Sequence, residues 1–328
     1  MIRPRITFSL LAIGCLLTLV LNVCCGSVHI PLQELGEPQW SYILWHIRMP
    51  AAITAVTTGA SLGACGLLLQ SYFRNPLAGP SILGITNGAN LMVALVMLGG
   101  YSFVNLPRLS SMGLSVAAAL VGAFAILGIL LALGRYVRQV TTLLIVGILI
   151  SYLTSALISL LSYQATQQGL QQMLLWGLGD FGGVGLSQLP YYCLLSALGL
   201  LGALLMVKPL NGWMQGELYA QNLGIDIRRT KYLLLGITGL LAAITTAWCG
   251  PIAFVGLSMP HAARLLLRTD DHRLLLPASM LCGALCCGAC LWLSSLPSGG
   301  TLLPINALTP FFGVPIIIYV LTKTDKNQ

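Results

Sequence analysis

Long apolar runs, parted by short polar breaks, dominate this chain. A membrane-spanning helix needs about 20 mostly apolar residues. Ten runs meet that need or come close to it, at about 6–28, 50–70, 82–104, 112–133, 141–163, 189–207, 231–249, 252–267, 273–295 and 304–322. Within the second run, Ala55, Gly59 and Gly63 recur four apart, a spacing that lets two helices approach closely. That run stops at Arg74-Asn75-Pro76-Leu77-Ala78-Gly79-Pro80, which cannot continue a helix. The seventh run stops at Gly250-Pro251. Each break leads into a short re-entry, over 74–85 and 250–262, and paired broken segments in two halves point to a transporter built from repeats. Residues 34–48, with Glu34, Glu37, Trp40, Trp45, His46 and Arg48, read as a membrane-interface segment. The Gly-rich stretch between the fifth and sixth runs, with Trp176, Asp180 and Phe181, reads as a partly helical external loop.

The longest stretch too polar for lipid is 208–231. It carries Lys208, Glu217, Asp226, Arg228, Arg229 and Lys231, six of the 24 charged residues in the chain. It is also longer than the usual link between adjacent helices, roughly 2–8 residues. Its centre suits a short helix closed by Gly224, with Leu218, Gln221 and Asn222 at i, i+3, i+4 and Tyr219 and Leu223 four apart. Glu217 in the first turn favours the helix dipole. Such a helix could lay Leu218, Tyr219 and Leu223 in a cleft of a soluble partner, a reading preferred to an ordinary solvated loop with an amphipathic turn lying on the membrane.

Composition agrees with the pattern. Of 328 residues, 57% are hydrophobic and 7% charged, and the mean hydropathy is +0.88. Soluble domains carry about 25% charged residues, so bilayer is the solvent and the expected architecture is one all-α polytopic membrane domain over 1–328. The start resembles a secretory signal after Arg3 and Arg5, but everything downstream also spans, so the first run is read as a span. The net charge of +8 is scattered between apolar runs rather than gathered as for nucleic acid. With both termini cytoplasmic, ten spans place 14 Lys and Arg inside and only Arg48 and Arg108 outside, the asymmetry expected of a correct topology.

Candidate chemistry is sparse. No G-x-x-x-x-G-K-[ST] phosphate loop and no HExxH occurs. Between residues 49 and 207 the midspan positions hold no ionisable group, which argues against a proton-coupled carrier or a channel. No nucleophile, base or metal cluster assembles to support a membrane enzyme. His261 and His272 read as loop polarity and interfacial hydrogen bonding, and haem ligation by His29 or His46 has no supporting spacing. Cys282, Cys286 and Cys290 share a helix face, and Cys287 with Cys290 forms a CxxC. Without a nearby His or a second CxxC, helix packing is preferred to a metal or redox site.

Arg74-Asn75-Pro76-Leu77-Ala78, Leu83-Gly84-Ile85, Asn87-Gly88-Ala89, Gly216-Glu217, Leu223-Gly224, Gly250 through Leu257, Pro260-His261, Asp271-His272-Arg273 and Gly313-Val314-Pro315 together resemble the iron-siderophore, haem and cobalamin importer permeases of the ABC superfamily. The resemblance runs in one register from about residue 47 to the end. Gly179-Asp180-Phe181-Gly182-Gly183-Val184 leans toward the cobalamin permeases. It implies a type II importer permease with ten spans in the bacterial inner membrane, paired as a homodimer. It implies a cytoplasmic ATPase dimer that holds ATP and magnesium, with no cofactor on this chain, and a periplasmic binding protein that delivers the chelate. The resemblance assigns ATPase coupling to Gly216, Glu217, Leu218, Tyr219, Ala220, Leu223 and Gly224. It places a cytoplasmic gate at Val140 and Thr141, with the pathway lined by the fifth and tenth spans, and binding-protein docking at Arg48. Three family docking positions depart: Ala51 and Ser295 stand where the family has arginine, and Leu302 where it has an acidic residue.

Overall fold

The computed structural model describes residues 4–26, 38–98, 111–137, 139–296 and 302–325. Among these the chain is helical: α1 (Pro4–Cys24), α2 (Pro38–Ile43), α3 (Met49–Phe73), α4 (Ile85–Leu98), α5 (Ser111–Leu133), α6 (Val140–Tyr163), α7 (Gln167–Gly177), α8 (Leu189–Leu205), α9 (Val207–Met214), α10 (Glu217–Asn222), α11 (Ile227–Cys249), α12 (Val255–Leu267), α13 (His272–Ser294) and α14 (Ile305–Asp325). Each of the ten predicted runs carries a helix. Among the described residues six helical stretches are long and apolar enough to cross a bilayer alone, and a seventh forms if α8 and α9, bent by 41°, are one span. Helix α12, of 13 residues, is short because it follows a break and is closed by Arg268 in the left-handed region. At 1.5 Å per residue it reaches only about 20 Å, less than the roughly 30 Å hydrocarbon layer; α4 follows the other break and is described as far as Leu98.

The structure adds detail to two stretches. The described part of the interface segment is helical: α2 runs through a single π turn (Leu44–Arg48) into α3, making one helical stretch over Gln39–Phe73. The polar stretch at 208–231 is helical from its start, since α9 follows α8 after the bend. Glu34, Glu37, His29 and Arg108 lie outside the described residues.

Helix α3 lies at the centre, with α13, α12, α11 and α8 packed around it. The stripe of small residues is what lets α13 approach. A Cβ added at Gly59 would sit 2.1 Å from the Gly283 carbonyl oxygen, and one at Gly63 would sit 2.3 Å from that of Ser279. The Ser279 hydroxyl donates to the Gly63 carbonyl at 2.8 Å. The two halves repeat this packing. As α3 crosses α13, so α11 crosses α5; as α12 packs on α13 and α14, so α4 packs on α5 and α6. In the second crossing Gly239 faces the Leu127 side chain rather than backbone. The internal symmetry, faint in sequence, is therefore explicit in the packing. Helix α1 joins the bundle through Asn22, whose amide donates to the Gly288 carbonyl at 2.8 Å.

Each break has its own stop. Helix α3 ends at Arg74, in the left-handed region at φ 47°, and Asn75-Pro76 follows. Helix α11 ends at Gly250 (φ 72°), whose missing side chain admits the Trp176 carbonyl. These two ends lie at opposite faces of the bundle. The end of α3 meets α9 and the start of α13, whereas the end of α11 meets the loop after α7 and the start of α14. The two broken helices thus run antiparallel.

Candidate functional site

The charged stretch folds into two short helices and a turn at one end of the bundle. Gly216 allows the turn into α10 at φ 121°, a conformation closed to other residues at little cost. Glu217 occupies the first turn as expected. The helix ends at Leu223, and Gly224 (φ 77°) reverses the chain. Ala220 is fully buried beneath the helix, where its carbonyl accepts from the Ile225 N–H at 3.0 Å. Leu218, Tyr219 and Leu223 point outward and are 77%, 52% and 59% exposed. Two large side chains on a six-residue helix and a third on its C-cap, with an alanine as the foot, make an outward-facing apolar knob.

The base under this knob is tied down by side chains from distant parts of the sequence. Trp213 on α9 is buried against Tyr72, their rings stacked at 5.4 Å, and its indole N–H donates to the Tyr72 carbonyl at 3.2 Å. Arg74 donates to the Trp213 carbonyl at 2.7 Å and lies over the Trp213 ring at 5.5 Å, a cation–π contact. Asn211, also on α9, donates from its amide to Asp271 at 2.7 Å. Its oxygen accepts from the His272 backbone N–H at 3.0 Å and faces ring Nδ1 at 2.7 Å. An oxygen so placed needs a donor, which assigns the ring proton to Nδ1 and leaves Nε2 to accept from the Ser71 hydroxyl at 2.6 Å. Asp271 caps α13, and the Arg273 N–H, followed by the Asn211 amide, holds its carboxyl below the usual carboxylate range. A second tie crosses the break: His261 Nε2 sits 2.8 Å from the Pro76 carbonyl. Arg264 donates to Gln70 at 2.7 Å and faces Asp270 at 4.0 Å.

His261 and His272 are thus buried structural groups, 4% and 2% exposed, rather than loop polarity. Reasoning from sequence missed Ser71, Trp213 and Asn211, since nothing local marks partners separated by 61 to 201 residues. The gate positions stand apart from α10, at the start of α6. Gln139 is extended there and Thr141 is exposed.

At the opposite end, the docking positions named from the resemblance come together. Arg48, Ala51, Ser295 and Leu302 all line one pocket of about 250 Å³, with Asp180 beside them. Arg48 is only 8% exposed, and its guanidinium donates to the Val23 and Cys24 carbonyls at 3.1 and 3.0 Å, closing the last turn of α1. The Gly-rich loop is plugged into the core by fully buried Phe181, and Asp180 stays at the surface, accepting from the Gly182 N–H at 2.8 Å. Asn306 knits this end. Its amide donates to the Gly177 and Pro251 carbonyls, and its oxygen accepts from the Ala253 N–H. Cys282, Cys286, Cys287 and Cys290 are buried in α13, and no group of three or more metal-ligating side chains occurs among the described residues.

A model of the FecCD transport family matches residues 14–323. The chain is 34% identical over 311 residues to the vitamin B12 import system permease protein BtuC of Klebsiella pneumoniae, covering 94% of this chain and 91% of that one. It is 33% identical over 317 residues to the protein of the same name in Shigella boydii, covering 96% and 94%. A metal-chelate type ABC transporter in an inward-facing conformation superposes with a TM-score of 0.85 at 28% identity, covering 98% of this chain and 100% of that one. PsaBC from Streptococcus pneumoniae, in complex with Fab, shares the fold at a TM-score of 0.60 and 19% identity, covering 88% and 93%.

Proposed function

The chain belongs to the FecCD transport family and is an ABC importer permease of the cobalamin and metal-chelate type, and from that premise we propose how its parts divide the work. Permeases of this kind work as dimers with an ATPase partner. In our reading the charged end lies in the cytoplasm, as the 14-to-2 asymmetry of Lys and Arg favours. The apolar knob of α10 seats in a cleft of the ATPase, which holds ATP and magnesium. Helices α6 and α14 form the seam with the second subunit and line the pathway. What supports this is their uncovered apolar faces, with Leu149, Tyr152 and Leu160 on α6 and Phe311 and Ile318 on α14 more than half exposed in the single chain. Val140 and Thr141 close the pathway on the cytoplasmic side. A periplasmic binding protein docks over the pocket beside Arg48.

The observation that carries this reading is the exposed knob of Leu218, Tyr219 and Leu223 on a base fixed by hydrogen bonds. A surface of that kind is built for a partner, and a self-contained carrier has no use for it. The first substrate to test is cobalamin, on the strength of the relatives and of the Gly-rich loop at 179–184; an iron chelate is the second. The test compares cells carrying the chain with cells deleted for it, each given labelled cobalamin or a labelled ferric chelate. Accumulation of one of them only when the chain is present is the expected result. Equal accumulation of both in the two strains rejects the reading.

A further inference from the structure

We propose that Lys231 is the positioning residue that passes movement of α10 to the gate, an inference that rests on the coupling role given to α10 above. The Lys231 ammonium donates to the carbonyl oxygens of Gly134 at 2.6 Å and Val137 at 2.9 Å. Those carbonyls belong to the turn that closes α5 and leads through Gln139 into Val140 and Thr141. A cation is favoured there by the carbonyls left open at a helix C-terminus. The absence of a side chain at Gly134 makes room for the lysine stem, since a Cβ would lie 3.2 Å from Lys231 Cε.

On its other side Lys231 is continuous with the knob. The Ile225 N–H donates to the Ala220 carbonyl, and the Asp226 carboxylate accepts from the Arg229 N–H at 2.9 Å. Helix α10, the turn at 223–226 and the first turns of α11 therefore form one hydrogen-bonded body. The receiving turn is equally tight, with the Gly134 and Val137 N–H groups donating to the Leu130 and Leu133 carbonyls. A displacement of α10 carries the ammonium with it. The turn before α6 then either follows or loses its donor. The crossing of α11 with α5 is made at Gly239 through the flexible end of the Leu127 side chain rather than through backbone. Coupling travels through contiguous elements with two arrangements, and the claim stands only if both ends respond together.

The test uses the full chain, purified with its ATPase and carrying Thr141→Cys. The readout is maleimide labelling above the background of the unsubstituted chain, with and without ATP. With Lys231 present, ATP changes labelling of the Thr141→Cys site. Lys231→Ala loses that change while the complex still hydrolyses ATP, so chelate moved per ATP falls. Lys231→Arg, which keeps two donors on a cation, retains both. A simple stabilising cap would lower the amount of protein and leave the ATP-dependent change intact, and that result overturns the inference. Should Lys231→Ala not reach the membrane, Lys231→Gln keeps the stem and an amide donor. A reduced change in Lys231→Gln is then expected, and an undiminished one overturns the inference. If ATP fails to alter labelling even with Lys231 in place, the coupling reading of α10 falls and this inference falls with it.

Discussion

At the charged end, the broken helix α3 is tied down by ionic and aromatic side chains. Arg74 closes on Trp213, His272 bridges Ser71 and Asn211, and Asp271 holds Asn211 from the other side. At the far end, the broken helix α11 is tied down by uncharged groups: the Asp180 N–H donates to the Cys249 carbonyl, the Trp248 indole donates to Gln188, and the Asn306 amide reaches three backbone groups beside the break. Both ends meet the same requirement, since a broken helix leaves backbone groups that must find partners. They differ in what lies beyond. At the charged end the clasp spans four elements and uses charge, and in the proposed division of work it holds the knob against the ATPase. At the pocket of the far end Ala51 and Ser295 are short, Arg48 is turned inward and Leu302 is more than half exposed. On the same proposal, rigidity at the charged end serves force transmission and the far end receives the binding protein.

The largest effect should follow from cutting the charged clasp at its centre. His272→Ala leaves the Ser71 hydroxyl and the Asn211 oxygen without their ring partner and opens a cavity in a site 2% exposed. A loss of about 2–3 kcal/mol is expected from the cavity and the orphaned polar groups, read as a lower thermal midpoint. A midpoint equal to wild type would mean that the base is held elsewhere and that the contrast between the ends is overdrawn. A smaller effect is expected at the far end. Arg48→Met removes the donors that close α1 and should cost about 1 kcal/mol. It also separates two roles, through a pull-down of the binding protein at low and physiological salt. Weaker capture supports docking beside Arg48, whereas unchanged capture leaves Arg48 as the cap of α1 alone.

Much of this was legible in the sequence for physical reasons. Apolar runs near 20 residues long can only be helices in lipid, because every backbone polar group must be satisfied internally. The Ala55, Gly59, Gly63 spacing foretold the close crossing that Gly283 and Ser279 complete. Gly216 and Gly224 marked the limits of α10 because both need positive φ. What stayed hidden was long-range pairing. Asn211 looks like any loop asparagine until α13 folds beside it, and Arg48 looks exposed until α1 brings its final carbonyls within reach. That the segment before Arg48 is continuous with α3 was hidden too, because Trp, His and Arg have the same composition whether or not an interface segment is helical.

The most direct test of the central claim is Leu223→Asp. The side chain is 59% exposed on the knob and makes no part of the clasp, so the variant should reach the membrane at the wild-type level and unfold at the wild-type temperature. The account predicts that the ATPase no longer co-purifies with it and that uptake of the chelate is abolished. Uptake at the wild-type rate, with the ATPase still bound, would contradict it.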